Sequence, residues 1–189
     1  MTDKAGLIEI RWHGRGGQGA VTSAELLAKA AIGEGKYAQA MPSFGPERRG
    51  APVLAFNRIS GERPIRVRAE IAEPDVVVVL DSGLLGIVDV TAGLKKGGLL
   101  VVNTGKGVAD IRPEFGSSGR LAVIDATRIA RELLGVPIVN TTMLGALVKV
   151  TGVVKLESLF VPTKQRFGRM AERNIEAMKA AFESMEVEA

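Results

Sequence analysis

Cysteine is absent from all 189 residues, and histidine occurs once, at position 13. These shortages exclude disulfides, thiolate nucleophiles, cysteine-ligated iron–sulfur clusters, and cysteine or multi-histidine metal sites within this sequence. Aromatic residues make up only 4%, too few to interleave the arginines with base-stacking platforms. No apolar run is long enough to span a bilayer. The longest uncharged stretch, residues 133–148, is interrupted by Pro137, Asn140, Thr141 and Thr142. The opening MTDKAGLIEIR mixes charges with apolar residues and has no apolar core, so a secretory signal is not expected and a cytoplasmic location is.

What remains is ordinary for a folded domain: 46% apolar and 24% charged residues. The length suits a single domain over residues 1–189. Glycine is plentiful, 23 residues lying between apolar runs, which predicts many tight loops. The net charge is +4, and the positive charge gathers at Arg48, Arg49, Arg58, Arg63, Arg66 and Arg68. Anionic partners follow from that balance, while neither a nucleic acid nor a membrane is expected as partner. A nucleic-acid or general interaction module stays as an alternative resting on the arginine cluster alone, and steep salt dependence of DNA or RNA binding is its signature.

Periodicity predicts a first strand over residues 7–12, a glycine loop over 13–19, and a helix over 22–32 with Leu26, Leu27, Ala30 and Ala31 on one face. A short strand follows over 37–40. Alternating segments at 53–59 and 65–69, joined by Ser60-Gly61-Glu62, predict a hairpin. The continuous apolar runs 76–80, 99–102 and 121–124 have the pattern of parallel strands buried on both faces. Between them the sequence suggests a weak helix over 84–95 and a loop holding Gly105, Gly107 and Pro113. Helix 126–134, strand 137–139 and helix 142–151 continue the alternation, with Asp125 read as a helix cap. The tail, residues 164–186, reads as one amphipathic helix whose methionine-rich stripe packs into the core. The expected fold is α/β: a doubly wound, mostly parallel, Rossmann-like sheet with an antiparallel excursion near residues 53–69.

Two loops stand out. Gly14-Arg15-Gly16-Gly17-Gln18-Gly19 forms a G-x-G-x-x-G between a first strand and a first helix, where backbone N–H groups and the helix dipole favour an anion. A dinucleotide site also needs an acid near position 39, at the end of the second strand, and the sequence there is Tyr37-Ala38-Gln39-Ala40. Arg15 and Gln18 add polar bulk where a pyrophosphate would lie. Three readings stay open: a tightly packed strand-to-helix turn, contact with an anion or cofactor, or a full dinucleotide site, which the missing acid disfavours. The second loop, PSFGPERRGAP from Pro42 to Pro52, is stiffened by three prolines and carries Ser43, Arg48 and Arg49. The paired arginines suit a phosphate, a carboxylate or an acidic patch on another subunit, and a solvated turn with Glu47 pairing one arginine is the plainer alternative. His13 has no serine or carboxylate partner nearby and reads as a packed or loop-orienting residue. No catalytic or metal-binding set emerges.

GRGGQGAVTSAELLAKAA, KYAQAMPSFGPERRGAPV, NTTMLGALVKVTG and NIEAMKAAFE together resemble the gamma subunits of 2-oxoacid:acceptor oxidoreductases, of the pyruvate:ferredoxin oxidoreductase type. The resemblance spans nearly the whole chain. It implies an accessory subunit, inactive alone, of a complex that oxidatively decarboxylates pyruvate with coenzyme A to acetyl-CoA, CO2 and reduced ferredoxin. It implies alpha, beta and delta partner subunits carrying thiamine diphosphate, magnesium and 4Fe-4S clusters, with ferredoxin as acceptor. Coenzyme A enters as co-substrate, and Gly14, Arg15, Gly16, Gly17, Gln18, Gly19, Ser43, Arg48 and Arg49 are the candidates to contact it. Alternatives are a relative acting on 2-ketoisovalerate or 2-oxoglutarate, and a free-standing nucleotide-binding oxidoreductase.

Overall fold

The computed structural model describes residues 6–43, 50–116 and 119–188. Strand β1 (Leu7–Arg15) leads into helix α1 (Ala20–Gly33), then β2 (Tyr37–Pro42), β3 (Pro52–Ser60) and β4 (Val76–Val79). β5 (Leu99–Asn103), α2 (Val108–Phe115), β6 (Arg120–Ile124), α3 (Ala126–Leu134) and α4 (Asn140–Thr151) continue the alternation. Helices α5 (Phe160–Phe167) and α6 (Ala171–Ser184) and a two-residue strand β7 (Glu186–Val187) close it.

The strands form one sheet in the order β2-β3-β1-β4-β5-β6-β7. β1, β4, β5 and β6 pair in parallel, and β2 runs with them because it is antiparallel to β3, which is antiparallel to β1. Only β3 and β7 oppose the common direction. The expected α/β sheet and its antiparallel departure are therefore present. From β1 the chain adds strands on one side, then returns to place β4 on the other, so the topological switch point lies between β1 and β4.

Period-two alternation in the central strands explains their double burial. Val76, Val78, Leu99, Val101, Ala122 and Ile124 enter a core with α1, α3, α4 and α6. Their neighbours Val77, Val79, Leu100, Val102, Leu121 and Val123 point the opposite way, to Ile111 and Phe115 of α2 and to Leu85, Val88, Val90 and Leu94. Each fully buried aliphatic side chain contributes about 1.5–3 kcal/mol, which makes this two-sided packing the main stabilising term. Gly145 brings α4 and α6 together: a Cβ there would sit 2.0 Å from the Met178 carbonyl oxygen. Asp125 caps α3 by accepting from the Arg128 N–H at 2.9 Å, as expected.

The structure corrects five local expectations. Residues 65–69 form no strand, because β3 already pairs with β1 on one side and β2 on the other. Gln39 Nε2 and Arg58 Nη1 instead hold the 61–75 segment through the carbonyls of Ile65 and Ala69, at 3.1 and 2.7 Å. Residues 84–95 are turns after a short 3-10 turn at Ser82–Leu84. The glycine–proline stretch after β5 contains helix α2, with Pro113 inside it. Residues 137–139 add no strand: Val139 caps α4, and the free side of β6 is taken by β7. The tail is two helices rather than one, broken at Gly168 with φ 51°. Met178 nevertheless lies in the core as the stripe predicts.

Candidate functional site

The glycine motif begins inside the sheet, since Gly14 and Arg15 still face Val53 and Pro52 across the β1–β3 ladder. The turn then folds on itself: Gln18 N–H donates to the Arg15 carbonyl (3.0 Å), and the Arg15 N–H donates to Gln18 Oε1 (2.7 Å). Asp81, just past β4, anchors both side chains. Its Oδ2 accepts from Arg15 Nε at 2.8 Å and Gln18 Nε2 at 2.9 Å, and its Oδ1 accepts from the Gly83 N–H at 2.8 Å. Burial pushes the Asp81 carboxyl up, but these hydrogen bonds and the Arg15 charge outweigh it and hold it below its ordinary value. The polar bulk foreseen in the loop thus bridges the β1–β4 switch point.

At the start of α1, Gly19 has φ 82°, and the place of its Cβ is taken by Asn140, whose Nδ2 would lie 2.6 Å away. The first residue of α4 therefore packs where the third glycine of a dinucleotide loop faces. Gly17, at φ 93°, has nothing among the described residues within 4 Å of its Cβ position. Strand β2, YAQAMP, carries no acid.

The two predicted loops meet. Gly16 N–H donates to Ala51 O (3.0 Å), Gly50 N–H to Gly16 O (3.4 Å) and Arg15 Nη1 to Gly50 O (3.2 Å). Ser43, at the other end of the proline–arginine loop, donates its N–H to Leu54 O at 3.0 Å and its hydroxyl to Glu70 Oε1 at 2.8 Å. Arg48 and Arg49 lie outside the described residues. Of the other candidates, Gly14 and Ser43 line a cavity of about 580 Å³ between β1, β3 and the 84–92 segment. Gln18 instead borders a hollow of about 430 Å³ at the C-terminal ends of β4, β5 and β6.

The sequence did not single out Arg11 or Asp89, which line the larger cavity with His13. A charged residue between Ile10 and Trp12 in a doubly covered strand was the available signal. His13 is 5% exposed and accepts at Nε2 from Arg11 Nε at 3.0 Å. Burial first, and the Arg11 charge second, lower its pKa from 6.5 to about 4. At neutral pH it is an uncharged, packed imidazole. Among the described residues no three His, Cys, Asp or Glu side chains gather as a metal-binding group, and no helix is long and apolar enough to cross a membrane.

The domain is a doubly wound α/β sheet, the fold class that places ligand sites beside a topological switch point, and here the glycine turn and a lined cavity lie along β1 at that end of the sheet. The chain belongs to the pyruvate ferredoxin/flavodoxin oxidoreductase family, whose sequence model matches residues 9–184. It is 57% identical over 178 residues to the pyruvate/ketoisovalerate oxidoreductases common subunit gamma of Thermococcus kodakarensis, covering 93% of this chain and 96% of that one. It is 53% identical over 180 residues to pyruvate synthase subunit PorC of Methanothermobacter marburgensis, covering 95% and 98%. The crystal structure of pyruvate oxidoreductase subunit PORC from Thermotoga maritima matches with a TM-score of 0.85 at 41% identity, over 97% of this chain and 99% of that chain.

Proposed function

We propose that this chain is the accessory gamma subunit of a pyruvate:ferredoxin oxidoreductase complex that converts pyruvate and coenzyme A to acetyl-CoA and CO2 while reducing ferredoxin. The near end-to-end match to a gamma subunit at 57% identity carries this reading. That relative is common to pyruvate and ketoisovalerate oxidoreductases, so a subunit of this kind need not choose the 2-oxoacid. Pyruvate is the favoured substrate here and 2-ketoisovalerate the second.

This chain has no cysteine with which to hold a cluster. Iron–sulfur clusters, thiamine diphosphate and its magnesium are accordingly assigned to alpha, beta and delta partners. The gamma chain then shapes and covers the active-site region as one domain over residues 1–189. Its glycine turn, unobstructed at Gly17 among the described residues, together with Arg48 and Arg49 is our candidate to supply backbone donors and cations to coenzyme A phosphates.

Native pull-down of the tagged chain from its own cells tests the proposal. Recovery in fixed ratio with thiamine- and cluster-bearing chains, and pyruvate-dependent ferredoxin reduction by that assembly, is expected. Recovery of the chain alone, under conditions that preserve known complexes, refutes it. A free-standing dehydrogenase would instead bind NAD(P) or a flavin by itself, which the acid-free β2 disfavours.

A further inference from the structure

Residues 61–75, between β3 and β4, form neither helix nor strand. Side-chain hydrogen bonds hold the segment beside β2 and β3: Gln39 Nε2 donates to Ile65 O, Arg58 Nη1 to Ala69 O, and Ser43 Oγ to Glu70 Oε1 at 2.8 Å. Its own backbone is left over. Among the described residues no N–H from Ile65 to Ala69 has a partner, and the carbonyls of Arg66, Val67 and Arg68 accept nothing. A sequence with the alternation of a strand is thus fixed on the surface with its ladder groups unused, the condition in which a protein edge takes up another chain.

The side chains of this segment select the partner. Arg63, Arg66 and Arg68 are exposed, and their guanidinium groups make no ion pair or hydrogen bond among the described residues. Arg58 differs: it is buried and engaged with Glu9 at 2.8 Å. No acid occurs from position 63 to 69, and of the flanking acids Glu70 already accepts from Ser43. Val67, between two of the arginines, is 57% exposed. Hollows adjoin the segment: one of about 220 Å³ lined by Leu7, Ile65 and Val67 with Arg63 and Arg66, and one of about 380 Å³ where Arg68 faces Ala40 and Met41.

Three unpaired cations call for carboxylates, the unused ladder groups call for a second backbone, and exposed Val67 calls for an apolar side chain between the charges. A nucleic acid meets only the first demand, and no Phe, Tyr or Trp lines either hollow to stack a base. We propose that residues 63–69 dock an acidic, extended segment of a partner subunit, which pairs with the free backbone groups, sets carboxylates against Arg63, Arg66 and Arg68, and covers Val67. This proposal rests on the subunit reading above and adds to it the surface and the chemistry of one subunit contact. The surface is distinct from the Asp81-anchored turn.

Site-specific crosslinking in the assembled complex tests it. The full-length tagged chain, with photoreactive p-benzoylphenylalanine in place of Val67, is expressed in its own cells, irradiated and recovered, and mass spectrometry locates the crosslinked peptide. One segment of a thiamine- or cluster-bearing chain, rich in Asp and Glu, is expected. Arg63→Glu, Arg66→Glu and Arg68→Glu together should lower the crosslink yield about tenfold or more, and lysine at the same three positions should restore most of it, because charge and not a particular hydrogen bond is required. An assembled complex in which position 67 captures nothing overturns the proposal and leaves the subunit reading standing. Capture of a neutral or basic segment, a nucleic acid or a second copy of this chain also overturns it, as does an undiminished yield in the glutamate variant. Recovery of the chain alone overturns both readings. The crosslink is read in a chain with all three arginines intact, so the test stays decisive if the glutamate variant does not fold.

Discussion

Lowering the pH should destabilise this chain through its one histidine. In the folded state His13 is neutral with a pKa of about 4, against an ordinary value of 6.5. Between those two values the unfolded chain binds a proton that the folded chain refuses. Stability therefore falls as pH drops from about 6.5 to about 4, and this contribution is constant below that. At pH 4.5 the loss from His13 alone is about 2.5 kcal/mol relative to pH 7.5, since each pH unit of difference corresponds to about 1.4 kcal/mol. Carboxylates titrate over the lower part of the same range, so the test is a difference between two proteins. Urea unfolding of the wild type and of His13→Gln is measured from pH 7.5 to 4.5. Gln can still accept from Arg11 but does not titrate. The wild type should lose about 2.5 kcal/mol more than the variant over that interval. Parallel pH profiles would show that His13 is not held neutral by burial beside Arg11.

Gly145→Ala should cost about 3 kcal/mol or prevent folding, because its Cβ would collide with the Met178 backbone where α4 crosses α6; thermal unfolding measures it. Asp125→Ala should cost about 1 kcal/mol by removing the cap of α3, a small shift in urea midpoint with an unchanged slope. Asp81→Asn places amide hydrogens or a weaker acceptor before Arg15 and Gln18 and should loosen the glycine turn. In the assembled complex it should raise KM for coenzyme A several-fold more than KM for pyruvate, whereas equal changes would detach the turn from coenzyme A. Arg48→Ala with Arg49→Ala should act in the same direction.

Much of the fold was legible because local pattern and burial agree. Two-sided apolar runs announced β4, β5 and β6, and the 3–4 spacing of Leu26, Leu27, Ala30 and Ala31 announced α1. Asp125 as a cap needed only its position before a helical stretch. The two expected strands that do not form share one cause: a strand forms only if a neighbouring edge is free. Residues 65–69 alternate well, but both sides of β3 are occupied, and β7 holds the free side of β6, so residues 137–139 find no edge there.

Of the candidate site, the glycine spacing, the stiff proline–arginine loop and the missing acid near position 39 belong to the sequence alone. So does the freedom from cysteine, which excludes a cysteine-ligated cluster within this sequence. Only tertiary structure could bring residues 15, 18 and 81 together, set Asn140 against Gly19, and stitch Gly16 to Ala51. These contacts join residues tens of positions apart, and a sheet's strand order, not its local pattern, determines which chain ends meet. The neutral His13 is the sharpest case. Its type and place in β1 are written in the sequence, but its protonation depends on burial and on the Arg11 side chain sharing its face of the folded sheet.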